Sequence, residues 1–140
     1  MTFINQFSFA FISTLGFTII FNIPRKQMVA ASLLGSIGWC VYYFYKLSSS
    51  PIIAAFWGAL IVGFIGEVFA RIRKQPATLF IIPGIIPLVP GAGMYYTMYH
   101  LVQNDLSKSA QFGIETLMIA LSIAIGIILA TSVSKAFPRR

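Results

Sequence analysis

The sequence predicts an all-α integral membrane protein with five transmembrane helices, the fourth broken by proline and glycine near the midplane. Three observations lead there. Of the 140 residues, 58% are hydrophobic and only 9% charged, too few to furnish the ionic surface of a soluble domain, where about 25% of residues are charged. Five apolar runs are each long enough to cross a hydrocarbon core of about 30 Å. The lysines and arginines sit in short clusters between those runs, as topology signals do, instead of forming one basic stripe with interleaved aromatics. The net charge of +7 is therefore no sign of a nucleic-acid partner; the partner it implies is the lipid bilayer.

The first span covers residues 2–21 and is closed by "NIPRKQ". It lacks a basic leader region and a small-residue cleavage site, so it reads as a mature span and not as a signal peptide. The second, 28–45, ends at Lys46 and "LSSSP". The third, 51–70, opens on Pro51, which suits a first helical turn because the missing N–H has no partner there in any case. After "RIRKQP" comes the fourth, 77–102, which contains "FIIPGIIPLVPGAGMYY" and ends at "QNDLSKS". The fifth, 110–133, precedes the tail "SKAFPRR". Cys40 lies within an apolar run and reads as a small packing residue.

Charge counting orders these spans. With the N-terminus outside and the C-terminus inside, the inner side holds Arg25, Lys26, Arg71, Arg73, Lys74, Lys135, Arg139 and Arg140, and the outer side only Lys46 and Lys108. If the proline-rich segment dipped in and returned without crossing, the distribution would be nearly even. Five crossings fit the positive-inside rule better.

The fourth span is then a crossing that interrupts its own backbone. A helical proline removes one hydrogen bond and clashes with the carbonyl four residues back, and an unpaired backbone group in lipid costs several kcal/mol. The break must therefore face protein or water. Pro83, Gly84, Pro87, Pro90, Gly91 and Gly93 crowd into eleven residues, followed directly by Tyr95 and Tyr96. Transporters place substrate sites at such discontinuities, and a half-helix starting near Gly91 would aim free N–H groups at a carboxylate. The plainer reading is a kink tolerated by neighbouring helices. These eight residues are the substrate-binding candidates.

Ionisable residues inside the membrane are functional candidates by default. Glu67 and Glu115 lie off the centres of their spans on opposite sides and are candidates for proton coupling, as is His100 near the outer interface. Structural roles compete with each: an i,i+4 pair with Arg71 for Glu67, a first-turn carboxylate on the fifth helix for Glu115, and simple hydration for His100. Small residues repeat at four-residue spacing in Ala55, Ala59, Gly63 and in Ser122, Gly126, Ala130, Ser134, which permits close helix approach within or between chains. Gly35, Ser36 and Gly38 would serve the second span similarly. One histidine, one cysteine and three carboxylates on different segments assemble no catalytic or metal set, so neither an enzyme nor a cofactor is expected.

The stretch "PGIIPLVPGAGMYYTMY", together with "FNIPRKQMVAASLLGSIGW", resembles the threonine/serine exporter (ThrE-like) family, in particular the small subunit of its split two-component form. The resemblance implies a bacterial plasma (inner) membrane protein that exports small carboxylate-bearing metabolites. These would be threonine and serine, or dicarboxylates such as succinate in some split pairs, exported with a larger membrane subunit of the same family. A non-transporting scaffold subunit and a small homo-oligomeric channel are the alternative readings. Every lysine and arginine lies in a loop or near a span end. With no cation at the midplane, a zwitterionic amino acid fits this chain better than a dicarboxylate unless a partner adds a positive charge.

Overall fold

The computed structural model describes residues 3–136; residue 2 of the first apolar run, and Arg139 and Arg140 of the charge count, lie outside the described residues. The described chain is helical throughout: α1 (Phe3–Ile20), α2 (Arg25–Lys46), α3 (Pro51–Arg73), α4 (Thr78–Ile85), a 3-10 turn (Ile86–Leu88), α5 (Gly91–Val102) and α6 (Leu106–Ala136). Four of these helices are long and apolar enough to cross a membrane alone. The pair formed by Thr78–Leu88 and Gly91–Val102 is bent by 52° and makes up to a fifth span, so the expected broken fourth segment is present.

Local chemistry sets the helix ends, which overrun the apolar runs. Ser50 caps α3 by accepting the N–H of Ile53, with Pro51 in the first turn. The same helix ends at Lys74, whose left-handed backbone (φ 52°) lets Lys74 and Gln75 return hydrogen bonds to Arg71 and Ala70. Asn22 and Asn104 supply the corresponding positive-φ residues in the α1–α2 and α5–α6 turns. Asp105 precedes α6 and accepts the backbone N–H of Lys108 at 3.2 Å and its ammonium at 3.1 Å. The backbone bond first, then the Lys108 side chain, hold the Asp105 carboxyl below the usual carboxylate range. This cap starts α6 at Leu106, a full turn before the apolar run at 110.

Helices α2 and α3 form the centre. α2 packs on α1, α3 and α4, while α3 packs on α2, α4 and most extensively on α6. Their shared core is built from Ala31, Leu34, Ala55, Ala59, Val62 and Phe80. The small-residue repeats on α3 and α6 are spent within the chain: Gly63 lies against Ala130, and Gly126 against Ala59 and the backbone of Phe56 and Leu60.

Antiparallel neighbours fix the level of the break. Gly66 lies beside Ile81, Gly84 beside Val62 and Leu88 beside Gly58. The broken segment therefore loses its α-helical course opposite the middle of α3 and reaches Pro90 nearer the end of α2 and the start of α3. On α6, Ser134 meets Arg71 and Gly126 meets Ala59, so the half of α6 before about residue 119 extends past the start of α3. At 1.5 Å per residue, its 31 residues span about 46 Å. That overhanging half is covered by α5, which packs chiefly on it.

Candidate functional site

The break is built from three successive proline effects. Pro83 sits inside α4 without an N–H to donate, and Pro87 opens the 3-10 turn. Val89 is extended, and Pro90 (φ −78°, ψ 58°) makes an inverse γ-turn closed by Gly91 N–H to Val89 O at 2.8 Å. α5 then starts at Gly91 with no side-chain cap; with the Gly91 N–H already taken by Val89 O, the amides of Ala92 and Gly93 are the ones left at the break without an intrahelical partner.

These amides border a cavity of about 250 Å³ between α2, α3, α5 and α6. Pro90, Ala92, Gly93 and Tyr96 line it from the broken segment, Tyr42 and Lys46 from α2, and Glu115 and Thr116 from α6. Lys46 Nζ stands 5.7 Å from the centroid of the Tyr42 ring, a cation–π distance. The ion pairs among the described residues all involve Asp105, so Lys46 and Glu115 line one cavity without neutralising each other directly. A cation, an anion and an uncapped helix start thus surround one space.

The candidates drawn from sequence divide into groups. Pro90, Gly93, Tyr96 and Glu115 come together in this cavity. Gly93 is there for packing as well as backbone: a Cβ on it would stand 2.2 Å from Thr116 Oγ1, so only glycine permits the present α5–α6 approach. Gly91 has open space around it. Tyr95 is exposed and stacks on Tyr99, away from the cavity, whereas Tyr96 stacks on Phe112. Pro83 and Gly84 are buried against the α2–α3 core, with Val62 and Leu34 beside Gly84, and they serve as a packing notch.

Pro87 lines a second cavity, of about 220 Å³, with Gln6, Ala10, Ser13 and Trp39. There the Trp39 indole donates to Gln6 Oε1 at 2.8 Å. A third cavity of about 340 Å³ shares Gln6 and Trp39 with the second and Tyr42 and Lys46 with the charged one. The α2 face bearing Trp39, Tyr42, Tyr43 and Lys46 therefore connects the two sides of the break.

The proton-coupling candidates lie apart. Glu67 is buried on α3 and accepts from Ser134 Oγ at 3.5 Å, while the Arg71 guanidinium donates to Ser134 O and, at 2.9 Å, to Ser134 Oγ. The expected Glu67–Arg71 partnership thus runs through a serine of α6. Glu115 does not occupy the first turn of its helix, because α6 begins nine residues earlier at Leu106; the competing first-turn role is removed. His100 stacks face to face on Phe112, at 5.5 Å between ring centroids, and its Nδ1 is 3.9 Å from Asp105 Oδ2, at the α5–α6 turn.

Sequence reasoning missed Lys46, Tyr42, Thr116, Gln6 and Trp39. The available signal was the i, i+3, i+4, i+7 spacing of Trp39, Tyr42, Tyr43 and Lys46, a polar-tipped helix face running to a span end.

Comparison with known proteins agrees with this architecture. The profile of the family described as Threonine/Serine exporter, ThrE, matches residues 6–133. A threonine/serine exporter of Corynebacterium glutamicum is 29% identical over 118 residues, which is 81% of this chain and 23% of that protein. An uncharacterized protein of Haemophilus influenzae is 29% identical over 96 residues, which is 68% of this chain and 32% of that protein. The chain spans about a quarter to a third of the length of these curated relatives. No solved structure matches it. The family match covers nearly every described residue, the break and its cavity included, and the helices are those of a multi-pass inner-membrane protein: the chain belongs to the threonine/serine exporter family, a family of transporters and not of enzymes.

Proposed function

We propose that this chain is a subunit of a secondary exporter of small carboxylate-bearing metabolites, most simply threonine and serine, working with a larger membrane subunit of the same family. The observation that carries this reading is the cavity beside the α5 start, lined by Lys46 and Glu115. A substrate carboxylate would lie against Lys46 and the first amides of α5, where the helix dipole adds to the attraction. The substrate ammonium would face Glu115. The hydroxyls of Thr116 and Tyr96 border the same space and suit a hydroxylated side chain.

The Corynebacterium glutamicum relative is named for threonine and serine, which accords with a zwitterion. A dicarboxylate would place its second carboxylate against Glu115 and would need a positive charge from the partner. The matched segment makes up 32% and 23% of the two curated relatives, so a whole exporter of this kind holds more chain than this segment.

In this reading the N-terminus lies outside and the C-terminus inside, which puts Glu67, Ser134 and Arg71 near the inner face and the charged cavity toward the outer one. Glu67 is then the proton-coupling residue, because its burial in the α3–α6 contact lets protonation alter how those helices meet. Flux of labelled threonine in liposomes holding the purified chain, alone and with its larger partner, tests the assignment. Gradient-coupled flux that needs both chains and falls with Lys46→Gln supports it. Uncoupled conduction by this chain alone would make it a channel, and flux by the partner alone would make it a scaffold.

A further inference from the structure

A fourth cavity, at the opposite end of the bundle from the charged one, has a different chemistry. It measures about 260 Å³ and is formed where α2 and α3 run antiparallel. α2 contributes Lys26, Val29, Ala30 and Leu33, which fall on one helical face at i, i+3, i+4 and i+7, and α3 contributes Phe69, Ile72 and Arg73 in the same manner. Because the helices are antiparallel, Lys26 in the first turn of α2 and Arg73 at the end of α3 stand at the same end of the groove. Arg73 Nη1 donates to the Lys26 carbonyl at 3.4 Å, which draws the guanidinium across the mouth. None of the acidic residues of the chain lines the groove. Below the two cations the wall is wholly apolar, and Val29, Leu33 and Ile72 are exposed along it.

We infer that this groove is a binding site for one anionic phospholipid. The phosphate would sit between Lys26 and the Arg73 guanidinium, whose planar donors suit a phosphate, and an acyl chain would run along Val29, Leu33 and Ile72. Charge complementarity selects an anionic headgroup. The apolar wall selects a lipid over a free phosphate, which would gain nothing from it. A lipid held here bridges α2 and α3 at the end where Arg73 already contacts Lys26, so it tightens the central helix pair. The inference is independent of the substrate reading, since the groove shares no residue with the charged cavity.

The test is native mass spectrometry of the purified full chain in detergent, titrated with dioleoylphosphatidylglycerol or dioleoylphosphatidylcholine. The wild type should prefer the anionic lipid. Lys26→Gln and Arg73→Gln should each lower that preference about fivefold, and together on the order of 25-fold, the few-fold effect of one cation near an anionic lipid applied twice. Both residues are exposed, so the variants should keep the wild-type elution volume and melting point in detergent. Leu33→Trp, which fills the groove and leaves both cations, should also weaken lipid binding. Lys108→Gln removes one charge at the other end of the molecule and should change nothing. Equal affinity for the two lipids, an unchanged preference in the double variant, unweakened binding to Leu33→Trp, or an equal loss with Lys108→Gln would each overturn the inference. Displacement of the lipid by glycerol 3-phosphate at comparable concentration would likewise overturn it, by revealing a site for soluble anions.

Discussion

Gly93→Ala places one methyl group where α5 and α6 meet. Its Cβ would stand 2.2 Å from Thr116 Oγ1 but 3.4 Å from Thr116 Cβ, so the hydroxyl alone is the obstacle. If α5 moves, it must retreat by about 1.2 Å, the difference between 2.2 Å and the 3.4 Å at which ordinary contact begins. Such overpacking costs about 1–3 kcal/mol. If Thr116 rotates instead, it gives up its 2.6 Å bond to the Phe112 carbonyl, a net loss of about 1 kcal/mol. Either route changes the wall of the charged cavity, which both residues line. Thr116→Ala removes the obstacle. The double variant should therefore recover most of the stability that Gly93→Ala loses, while Thr116→Ala alone should be mild in unfolding and lower threonine flux only by the contact its hydroxyl makes with the substrate. Thermal unfolding in detergent and threonine flux per assembled complex would be measured for the four proteins of the cycle. Additive losses, with no rescue, would refute the α5–α6 contact on which the cavity depends.

Four further outcomes concern other parts of the molecule. Gly126→Val should act through packing, because its Cβ would lie 2.8 Å from the Phe56 carbonyl and 3.1 Å from the Leu60 nitrogen, backbone atoms that cannot rotate away; its transport loss should track lost protein on an immunoblot, whereas Pro87→Ala should lower transport with abundance kept. Glu67→Gln retains the hydrogen bond with Ser134 but cannot carry a proton, so it should abolish gradient-driven uptake in vesicles while sparing substrate exchange. Reporter fusions should read an external N-terminus and a cytoplasmic C-terminus, and finding both on one side would remove the five-crossing topology.

Much of this architecture is legible in the sequence because lipid imposes strong rules. Apolar length marks the spans, and the density of Pro83, Pro87 and Pro90 marks the interruption, since no uninterrupted helix can hold them. The division of labour inside the break is not legible. Pro83 and Gly84 differ from Pro90 and Gly93 only in what packs beside them, and that depends on the level at which Val62 and Leu34 meet α4. The competing first-turn reading of Glu115 fails for a local reason: Asp105 caps α6 through Lys108, and "DLSK" lacks the glutamate or glutamine that marks a capping box, so the helix start nine residues earlier is not signalled. Lys46 reads as a loop cation because it ends its helix. Only the 52° bend, which brings the start of α5 beside Tyr42 and Lys46, turns it toward a site.

The central claim is that Lys46 and Glu115 hold opposite ends of one zwitterion, and equilibrium binding to the assembled complex tests it most directly. Threonine would be compared with threoninamide, which lacks the carboxylate, and with a hydroxy acid analogue lacking the ammonium. The wild type should bind threonine more tightly than either. Lys46→Gln should lose discrimination against threoninamide and keep it against the hydroxy acid, and Glu115→Gln should do the reverse. If both variants discriminate against both analogues as the wild type does, the cavity is not the substrate site.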